Sequence, residues 1–427
     1  MLLKSARRAA AVTAAGVTIL ALSACAGGGG GAAPTEFTVL GNVENEVVPR
    51  TLQTLAEGAC ATEQAAMPLK VDTVPQTNLN QQVQLLAGQG GLPVMYAVDT
   101  SELTLQLKEA GSGADLSTLF DDLGVSDKIE PAARSTVESL YDGDFVVLPT
   151  EYNIEGVWYN KAQFDERGVA LPTSWDELVE AAATFADAGV VPFSASGEQG
   201  WPLTRLIGNY IERDLGTDAL QKVKDGDAKL TDPEYVAAAQ EVADLGAAGY
   251  FGQGVGSIDY DTSINQFLNG SSPMIYMGSW ILSSIGDPEL NEIGEENIGF
   301  MPFPDVDGGS GDSSQLVANV GLPFTINESA LNDDSRAWVK CITENYGTVA
   351  LQDSSRISGF TVEGDVETSP LTTEVRDLIS STDTTVPWFE AYFSAQATTT
   401  SQQNAAQLVT GAITAEEFMT LVQGDLD

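Results

Sequence analysis

The order of apolar and polar residues in the first part of the chain predicts strands that alternate with helices. Four apolar runs are typical of strands: Phe37–Leu40, Leu69–Val74, Pro93–Val98 and Phe145–Leu148. Apolar residues at helical spacing predict a helix over Val48–Ala66 and another that carries Leu79, Val83 and Leu86. Because strand–helix–strand units place their strands side by side, this part predicts a parallel sheet covered by helices.

A second α/β region follows. Its predicted strands are Gly156–Tyr159, Val190–Ser194, Met274–Met277, Phe300–Pro302 and Val320–Ile326. Residues 174–177 fit a helix-capping sequence, and helices are also predicted from Asp232, Asp261 and Asp334. Residues 369–427 are mostly helical and polar. The chain has 427 residues, which is too many for one ordinary hydrophobic core, so we expect at least two lobes.

The N-terminal segment has the pattern of a secretory signal peptide. Three basic residues precede an apolar stretch, Ala9–Leu22, that is shorter than a membrane-spanning helix. The following Leu-Ser-Ala-Cys resembles the lipobox of bacterial lipoproteins, which implies cleavage before Cys25 and acyl chains on its thiol. We expect a lipoprotein signal peptide over residues 1–24, a flexible tether over 25–35, and a location on the outer face of the bacterial cell membrane. The alternative is an ordinary secretory signal with a chance cysteine.

Composition narrows the classes of partner and of chemistry. The formal net charge is −42, so the surface repels nucleic acid and anionic lipid headgroups. The chain contains no histidine, which excludes serine–histidine and cysteine–histidine catalysis and histidine-based zinc sites. Catalysis by a pair of carboxylates is not excluded by composition.

Cys60 and Cys341 are the two cysteines left once Cys25 is assigned to lipid. In an oxidising compartment a disulfide between them is the preferred interpretation, and two buried free thiols are the alternative. The turn over residues 305–312 is acidic and rich in glycine, but it lacks the ligand spacing of an EF-hand loop. We interpret it as a plain loop and expect neither a metal nor a cofactor.

Several short motifs occur in a fixed order along the chain. They are Leu92–Ala97 before Asp99, then Leu148–Asn153, Val157–Lys161, Leu171–Leu178, Phe267–Gly270, Gly278–Trp280 and Ile298–Pro304. This order resembles the extracellular solute-binding proteins of ABC importers, in particular the carbohydrate-binding group that includes maltose-binding protein. The most specific part of the resemblance is the Trp-Tyr-Asn-Lys block at residues 158–161 with the Pro-Thr-Ser-Trp-Asp-Glu-Leu block at 172–178.

The resemblance implies a two-lobed α/β fold of the periplasmic-binding-protein type II. Parallel-rich sheets flanked by helices would form the lobes, with a ligand cleft between them. Lobe I is expected to comprise residues 36–150 and about 303–350, and lobe II residues 151–302 and about 351–427. The lobes would close on a ligand and present it to a membrane permease.

Candidate ligand contacts lie after the predicted strands, because ligands dock at the carboxyl ends of parallel strands. They are Asn42, Glu44, Gln76, Asn78 and Asp99, together with Tyr152 and Asn153 in the first crossing between lobes. Family position implies that Trp201, Trp280 and Trp388 stack on sugar rings, which have apolar faces and hydroxyl edges. The ordinary alternatives are solvated loop acids and tryptophans that only pack. Trp158 and Trp175 are assigned to the core.

These features together predict a monomeric, lipid-anchored receptor for a mono- or oligosaccharide, which serves an ABC importer and performs no chemistry. A different solute, such as a polyamine or a peptide, is the main alternative, since a dication would suit an acidic cleft. A secreted glycosidase is a weaker alternative, because it would need two carboxylates about 5–10 Å apart and the sequence singles out no such pair.

Overall fold

The computed structural model describes residues 34–382 and 385–426. The predicted signal peptide, Cys25 and the predicted tether as far as residue 33 lie outside the described residues. The strands are β1 (Phe37–Asn42), β2 (Leu69–Val74), β3 (Met95–Ala97), β4 (Asn153–Asn160), β5 (Phe193–Ser194), β6 (Met274–Gly278), β7 (Ile298–Pro302), β8 (Leu316–Asn319), β9 (Phe324–Ile326) and β10 (Thr385–Val386).

Helices flank these strands along the described chain. They are α1 (Val47–Glu57), α2 (Ala61–Ala66), α3 (Gln76–Gln89), α4 (Ser101–Glu109), α5 (Leu116–Leu123), α6 (Pro131–Leu140), α7 (Lys161–Arg167), α8 (Trp175–Asp187), α9 (Trp201–Leu215), α10 (Ala219–Asp225), α11 (Pro233–Ala247), α12 (Tyr260–Leu268), α13 (Leu282–Ile285), α14 (Asp333–Ser354), α15 (Pro370–Ser381), α16 (Ala395–Val409) and α17 (Ala415–Gly424). Within the described residues, no helix combines the length and the apolar character needed to cross a membrane.

The first sheet has the strand order β2–β1–β3–β9. β1 pairs in parallel with both β2 and β3, and β9 closes the edge by pairing antiparallel with β3. The helices that connect β1, β2 and β3 lie between them in sequence, as βαβ units require. The three carboxyl ends of β1, β2 and β3 therefore share one edge of this sheet.

The second sheet has the order β10–β8–β4–β6–β5 and is built around β4. β4 pairs antiparallel with β6 along one side, and on the other side with β8 and then β7. The expected parallel-rich character therefore describes the first sheet, whereas the second is mixed. The reason is that the chain enters β4 directly from the first region, without a βαβ crossover.

The chain returns from the second sheet to the first within residues 320–323. The predicted continuous strand Val320–Ile326 is wrong, because β8 ends at Asn319 in the second sheet and β9 begins at Phe324 in the first. Pro323 has no N–H to donate to a ladder, which favours this break. The lobe boundaries predicted from the sequence, including the return at about residue 303, stay a prediction.

Two other sequence predictions differ from the structure locally. Residues 145–148 form no ladder, since Leu148 makes a single bridge with Phe324 while the carbonyl of Phe145 accepts the N–H of Leu116. The predicted helix over residues 48–66 is interrupted at residues 58–60 and becomes α1 and α2. Gly58 lies at this break, where its low helix propensity weakens a continuous helix.

Buried apolar side chains form two clusters, and the first contains residues of both sheets, such as Val39 of β1 and Trp158 of β4. Trp158 and Trp338 belong to the first cluster and Trp175 and Phe185 to the second. Trp158 is 0% and Trp175 3% exposed, so their assignment to the core is confirmed.

A disulfide joins Cys60, just before α2, to Cys341 in α14. The carboxylate of Glu63 lies near both sulfur atoms, so these three residues resemble a metal-ligand set. A metal would need thiolates, however, and sulfur atoms joined in a disulfide do not supply them. Cys60 and Cys341 therefore form a structural disulfide and do not form a metal site with Glu63.

Candidate functional site

Four of the predicted polar residues meet at the carboxyl ends of β1, β2 and β3, which we call the polar edge. Asn42 Nδ2 donates to Gln76 Oε1 at 3.3 Å, and Gln76 Nε2 donates to Asp99 Oδ2 at 3.1 Å. The Glu44 carboxylate accepts the backbone N–H of Gln76 at 3.0 and 3.2 Å. Because Gln76 is the first residue of α3, Glu44 also stabilises the positive end of that helix.

Two further asparagines extend this polar edge and were not found from the sequence. Asn80 Oδ1 accepts the backbone N–H of Asp99 at 3.0 Å, and Asn45 Nδ2 donates to Glu151 Oε1 at 3.1 Å. Asn80 lies four residues after Gln76 on α3 and shares its face, whereas the predicted Asn78 points elsewhere and is exposed. Helical spacing was the signal that could have identified Asn80. Asn78 as a ligand contact stays a prediction.

Asp99 is the titratable group of most interest at the polar edge. Its side chain is exposed to water. Loss of solvation raises the pKa of its carboxyl, the hydrogen bond from Gln76 lowers it, and the charge of Glu44 raises it. Two neighbouring carboxylates make this edge rich in acceptors for hydroxyl or ammonium donors.

Three aromatic side chains of the second region pack against one another. The ring centroids of Trp201 and Trp280 lie 5.8 Å apart at an interplanar angle of 63°, and those of Trp201 and Tyr260 lie 6.1 Å apart. All three side chains are half-buried, so each keeps an accessible surface. We call these residues, together with Trp388, the aromatic wall.

Trp388 joins the aromatic wall through an arginine that the sequence did not single out. The guanidinium carbon of Arg205 lies 5.2 Å from the ring centroid of Trp388 and 5.4 Å from that of Trp201. These are cation–π distances. The structure therefore brings together all three tryptophans predicted from family position.

Two glycines allow the tryptophans to occupy these places. A Cβ on Gly278 would lie 2.0 Å from the ring of Trp280, so only glycine lets this indole fold back over the end of β6. Gly200 has a φ of +75°, and a Cβ there would lie 1.9 Å from the carbonyl oxygen of Gln402 in α16. Trp201 thus begins α9 at a point where the backbone approaches another helix closely.

A buried polar network lies beneath the aromatic wall and centres on Glu155 of β4. Glu155 forms an ion pair with Arg205, accepts Asn319 Nδ2 at 2.8 Å, and accepts the hydroxyl of Tyr276 at 3.1 Å. The Tyr276 hydroxyl in turn accepts Asn209 Nδ2 at 2.6 Å. Glu155 is 1% exposed, so these partners compensate a charge that burial alone would make costly.

The predicted contact Asn153 belongs to the same network. Its amide nitrogen donates to Asn319 Oδ1 at 3.4 Å, and its oxygen accepts the hydroxyl of Ser279 at 3.3 Å. Asn153 and Glu155 lie two positions apart on β4 and so share one face of the strand. Ser279 is the residue before Trp280, so this network also supports the aromatic wall.

Tyr152 is not brought to the aromatic wall. Its side chain is 1% exposed, and its hydroxyl lies 3.2 Å from Thr136 Oγ1 of α6. It borders a different cavity of about 680 Å³, lined also by residues of α6, α15 and the segment 356–362. The reason is the alternation of an extended chain, which directs residue 152 away from the side that carries Asn153. Its predicted role as a ligand contact stays a prediction.

Tyr260 connects the aromatic wall with the polar edge electrostatically. Burial raises the pKa of Tyr260 to about 12, Arg356 lowers it, and Glu151 is one of the acids that raise it. Arg356 Nε lies 4.0 Å from Glu151 Oε1, the same oxygen that accepts Asn45 of the polar edge. The phenol stays protonated at neutral pH and can donate a hydrogen bond.

The arrangement can bind a ring-shaped polar molecule, and the two buried carboxylates beneath it are paired. Aromatic faces suit an apolar ring surface, and the carboxylate and amide oxygens of the polar edge suit several hydroxyl donors. The buried carboxylates Glu155 and Glu390 both pair with Arg205, with Arg205 Nε 3.6 Å from Glu390 Oε2. Neither is left free to act as a general acid or a nucleophile.

Comparison with known proteins assigns the family. The family model described as bacterial extracellular solute-binding protein matches residues 64–347. This chain belongs to the bacterial extracellular solute-binding proteins. The expected type II fold and the resemblance to this family are thereby confirmed, and the family is one of solute receptors rather than of enzymes.

Curated relatives match shorter stretches. An uncharacterized ABC transporter extracellular-binding protein of Pyrococcus horikoshii is 27% identical over 154 residues, which are 35% of this chain and 34% of that protein. A multiple sugar-binding protein of Streptococcus mutans is 28% identical over 176 residues, or 38% and 39% of the two chains. The chain thus aligns with between about a third and two fifths of the length of these relatives.

Solved structures share the fold over nearly the whole chain. A chitin oligosaccharide binding protein superposes with a TM-score of 0.79 at 24% identity and covers 92% of this chain and 98% of its own. A protein from work on xylan utilization by Caldanaerobius polysaccharolyticus superposes with a TM-score of 0.80 at 20% identity, covering 92% and 100%. At these identities the likeness concerns the fold.

Proposed function

We propose that this protein is a lipid-anchored extracellular receptor that captures a carbohydrate between two lobes and delivers it to an ABC-type sugar importer. The observation that carries the proposal is an aromatic wall and a polar edge that Tyr260 and Glu151 connect electrostatically. Sugar rings have apolar faces that stack on indoles and hydroxyl edges that donate to carboxylate and amide oxygens. Several relatives are described as sugar-binding proteins, among them one of Rhizobium meliloti and one of Streptococcus mutans, which supports this ligand class.

The mechanism consists of capture, closure and handover. The polar edge belongs to the first sheet and the aromatic wall to the region around the second sheet, so a ligand that contacts both would hold the lobes together. Closure needs dihedral changes at only a few positions, for which the crossings at residues 149–152 and 320–323 are suited. The closed monomer would then present both lobes to the permease.

A second candidate ligand is a polyamine, and the surplus of carboxylates favours it. Glu44 and Asp99 at the polar edge have no cationic partner among the described ion pairs, whereas Glu151 faces Arg356. An ammonium group would neutralise this surplus directly. The three tryptophans suit both ligands, since a sugar ring stacks on an indole and an ammonium group lies over one in a cation–π contact.

A panel of ligands separates these candidates. Thermal unfolding of the purified protein would be followed with mono- and oligosaccharides, polyamines and amino acids. A ligand at 100 times its dissociation constant stabilises the folded state by about 2.7 kcal/mol, which shifts the unfolding midpoint by a few degrees. A shift with one class of sugar supports the proposal. A shift of the unfolding midpoint with polyamines alone would identify a polyamine as the ligand in place of a sugar. Release of reducing sugar from a glycan would contradict the receptor function.

A further inference from the structure

Arg205 lies between two tryptophans of the aromatic wall, Trp201 and Trp388, and was not predicted from the sequence. It lies four residues after Trp201 on α9, so the two side chains share one face of the helix. Its guanidinium also reaches Trp388, which lies far along the chain in the segment after β10. Within the described residues, the ring contact recorded for Trp388 is the one with Arg205.

Two buried carboxylates hold the Arg205 guanidinium in place. Glu155 comes from β4 and has a side chain that is 0% exposed, while Glu390 follows Trp388 and has a side chain that is 2% exposed. Glu390 is itself fixed, because it accepts hydrogen bonds from Thr204 and, at 3.0 Å, from Ser401. The guanidinium is thus tied to three segments of the chain: α9, β4 and the turn after β10.

The chemistry of this position needs arginine rather than lysine. A guanidinium is planar, carries five N–H donors in a fixed geometry, and can pair with carboxylates while its faces lie against aromatic rings. An ammonium group carries the same charge but has no plane to pack against an indole. Since two carboxylates already neutralise Arg205, a role as an anchor for an anionic ligand is disfavoured.

We propose that Arg205 is a positioning residue that fixes the orientations of Trp201 and Trp388, and through Trp201 that of Trp280, so that the platforms for the sugar are set before the ligand arrives. This inference rests on the proposed function for its ligand but not for its geometry. Fixing a binding surface in advance raises affinity, because less conformational entropy is lost on binding.

The test compares Arg205→Lys with a matched control, Arg134→Lys. Arg134 also lies over an aromatic ring, 4.4 Å from the centroid of Phe145, and pairs with Glu138 at 3.5 Å, but it is outside the site. Three of the six tryptophans belong to the aromatic wall, so their near-ultraviolet circular dichroism reports its geometry. We expect Arg205→Lys to change this spectrum in the unliganded protein and to weaken sugar binding about tenfold. Arg134→Lys should do neither.

The outcomes separate this inference from the proposed function. If the wild type binds no sugar, the proposed function fails, and the spectrum of the unliganded protein still decides the role of Arg205. An unchanged spectrum in Arg205→Lys, with or without a lower thermal midpoint, overturns the inference and leaves Arg205 a purely structural ion pair.

A second variant covers the case in which Arg205→Lys does not fold. Glu390→Gln keeps Arg205 and its bond to Glu155 but removes one of the two charges that hold it. We expect a smaller spectral change and a loss of affinity of about threefold, since one of the two anchors remains. Wild-type values for both quantities would contradict the proposed positioning.

Discussion

Trp201 and Trp280 meet edge to face, with ring centroids 5.8 Å apart and 63° between their planes. One begins α9 and the other follows β6, so only the fold brings them together. An edge-to-face pair leaves an indole face free, which is the surface that a sugar ring needs. This pair is therefore the centre of the aromatic wall, and removal of either indole should lower the affinity for the ligand.

We expect Trp280→Ala to weaken sugar binding by about tenfold or more, because a stacked aromatic contributes on the order of 1 kcal/mol beyond the area that it buries. Isothermal titration calorimetry with the sugar found in the ligand panel measures the effect. Trp280→Phe is the control, since it retains a ring and should lose less. Equal affinities for Trp280→Ala and the wild type would remove this residue from the site.

Glu155→Ala should destabilise the fold by about 3–5 kcal/mol. The change leaves the buried Arg205 with one carboxylate fewer and removes an acceptor from Asn319 and Tyr276. Urea unfolding gives the free energy, and Glu155→Gln should cost less because it keeps an acceptor oxygen. A loss below about 1 kcal/mol for Glu155→Ala would mean that the network contributes little to stability.

Glu212 predicts a pH dependence of stability. Burial raises its pKa from 4.5 to about 9, while the charge of Arg213 lowers it and that of Asp218 raises it. Between these pH values the folded protein holds a proton that the unfolded chain has lost. This group therefore lowers the free energy of unfolding by about 1.4 kcal/mol per unit of rising pH, and the effect levels off above about pH 9.

Glu212→Gln should remove this contribution and be the more stable protein at pH 8. Urea unfolding of both proteins between pH 5 and pH 9 measures the difference in slope. Glu234→Gln, an exposed glutamate of α11, is the control and should keep the wild-type slope. Parallel curves for Glu212→Gln and the wild type would show that Glu212 is ionised in the folded state.

The double change Cys60→Ser with Cys341→Ser should lower stability by about 3–5 kcal/mol. The bridge spans a sequence separation of 281 residues, and closing so long a loop strongly restricts the unfolded chain. Sugar affinity should stay at the wild-type value, since neither cysteine touches the polar edge or the aromatic wall. A reductant should have the same effect on the wild type and none on the double variant.

Cys25→Ser tests the proposed anchor. With no thiol to carry acyl chains, the variant should move from the membrane fraction to the soluble fraction while keeping its thermal midpoint. Fractionation of cells followed by immunoblotting measures the distribution. Continued retention in the membrane fraction would contradict lipid anchoring at this residue.

Much of the polar edge could be predicted from the sequence. Asn42, Gln76 and Asp99 each lie at or just beyond a strand end, and parallel strands bring their carboxyl ends to one edge. The sequence pointed to Asn78, whereas it is Asn80 that hydrogen-bonds the backbone of Asp99. A position after a strand is visible in the sequence, whereas the face of the following helix is decided by its packing.

The three tryptophans were predicted from their positions in the family's motifs, whereas the charged residues that lie beneath them were not predicted. Trp201, Trp280 and Trp388 stand next to recognisable motifs, but Arg205, Glu155 and Glu390 look like ordinary surface residues of helix, strand and loop. Their burial comes from segments that meet only in the folded chain. A charge becomes part of a site when distant partners remove it from water, and local sequence does not report those partners.

The sequence by itself determined the α/β alternation, the three parallel strands of the first sheet, the core tryptophans and the residues that follow strand ends. These follow from hydrophobic periodicity and chain direction, which act over a few residues. Tertiary structure alone decided that residues 320–326 change sheets, that β4 pairs antiparallel on both sides, and that Arg205 joins Trp201 to Trp388. These are contacts between segments far apart in the chain, so their free energy depends on how the whole molecule packs and not on any local pattern.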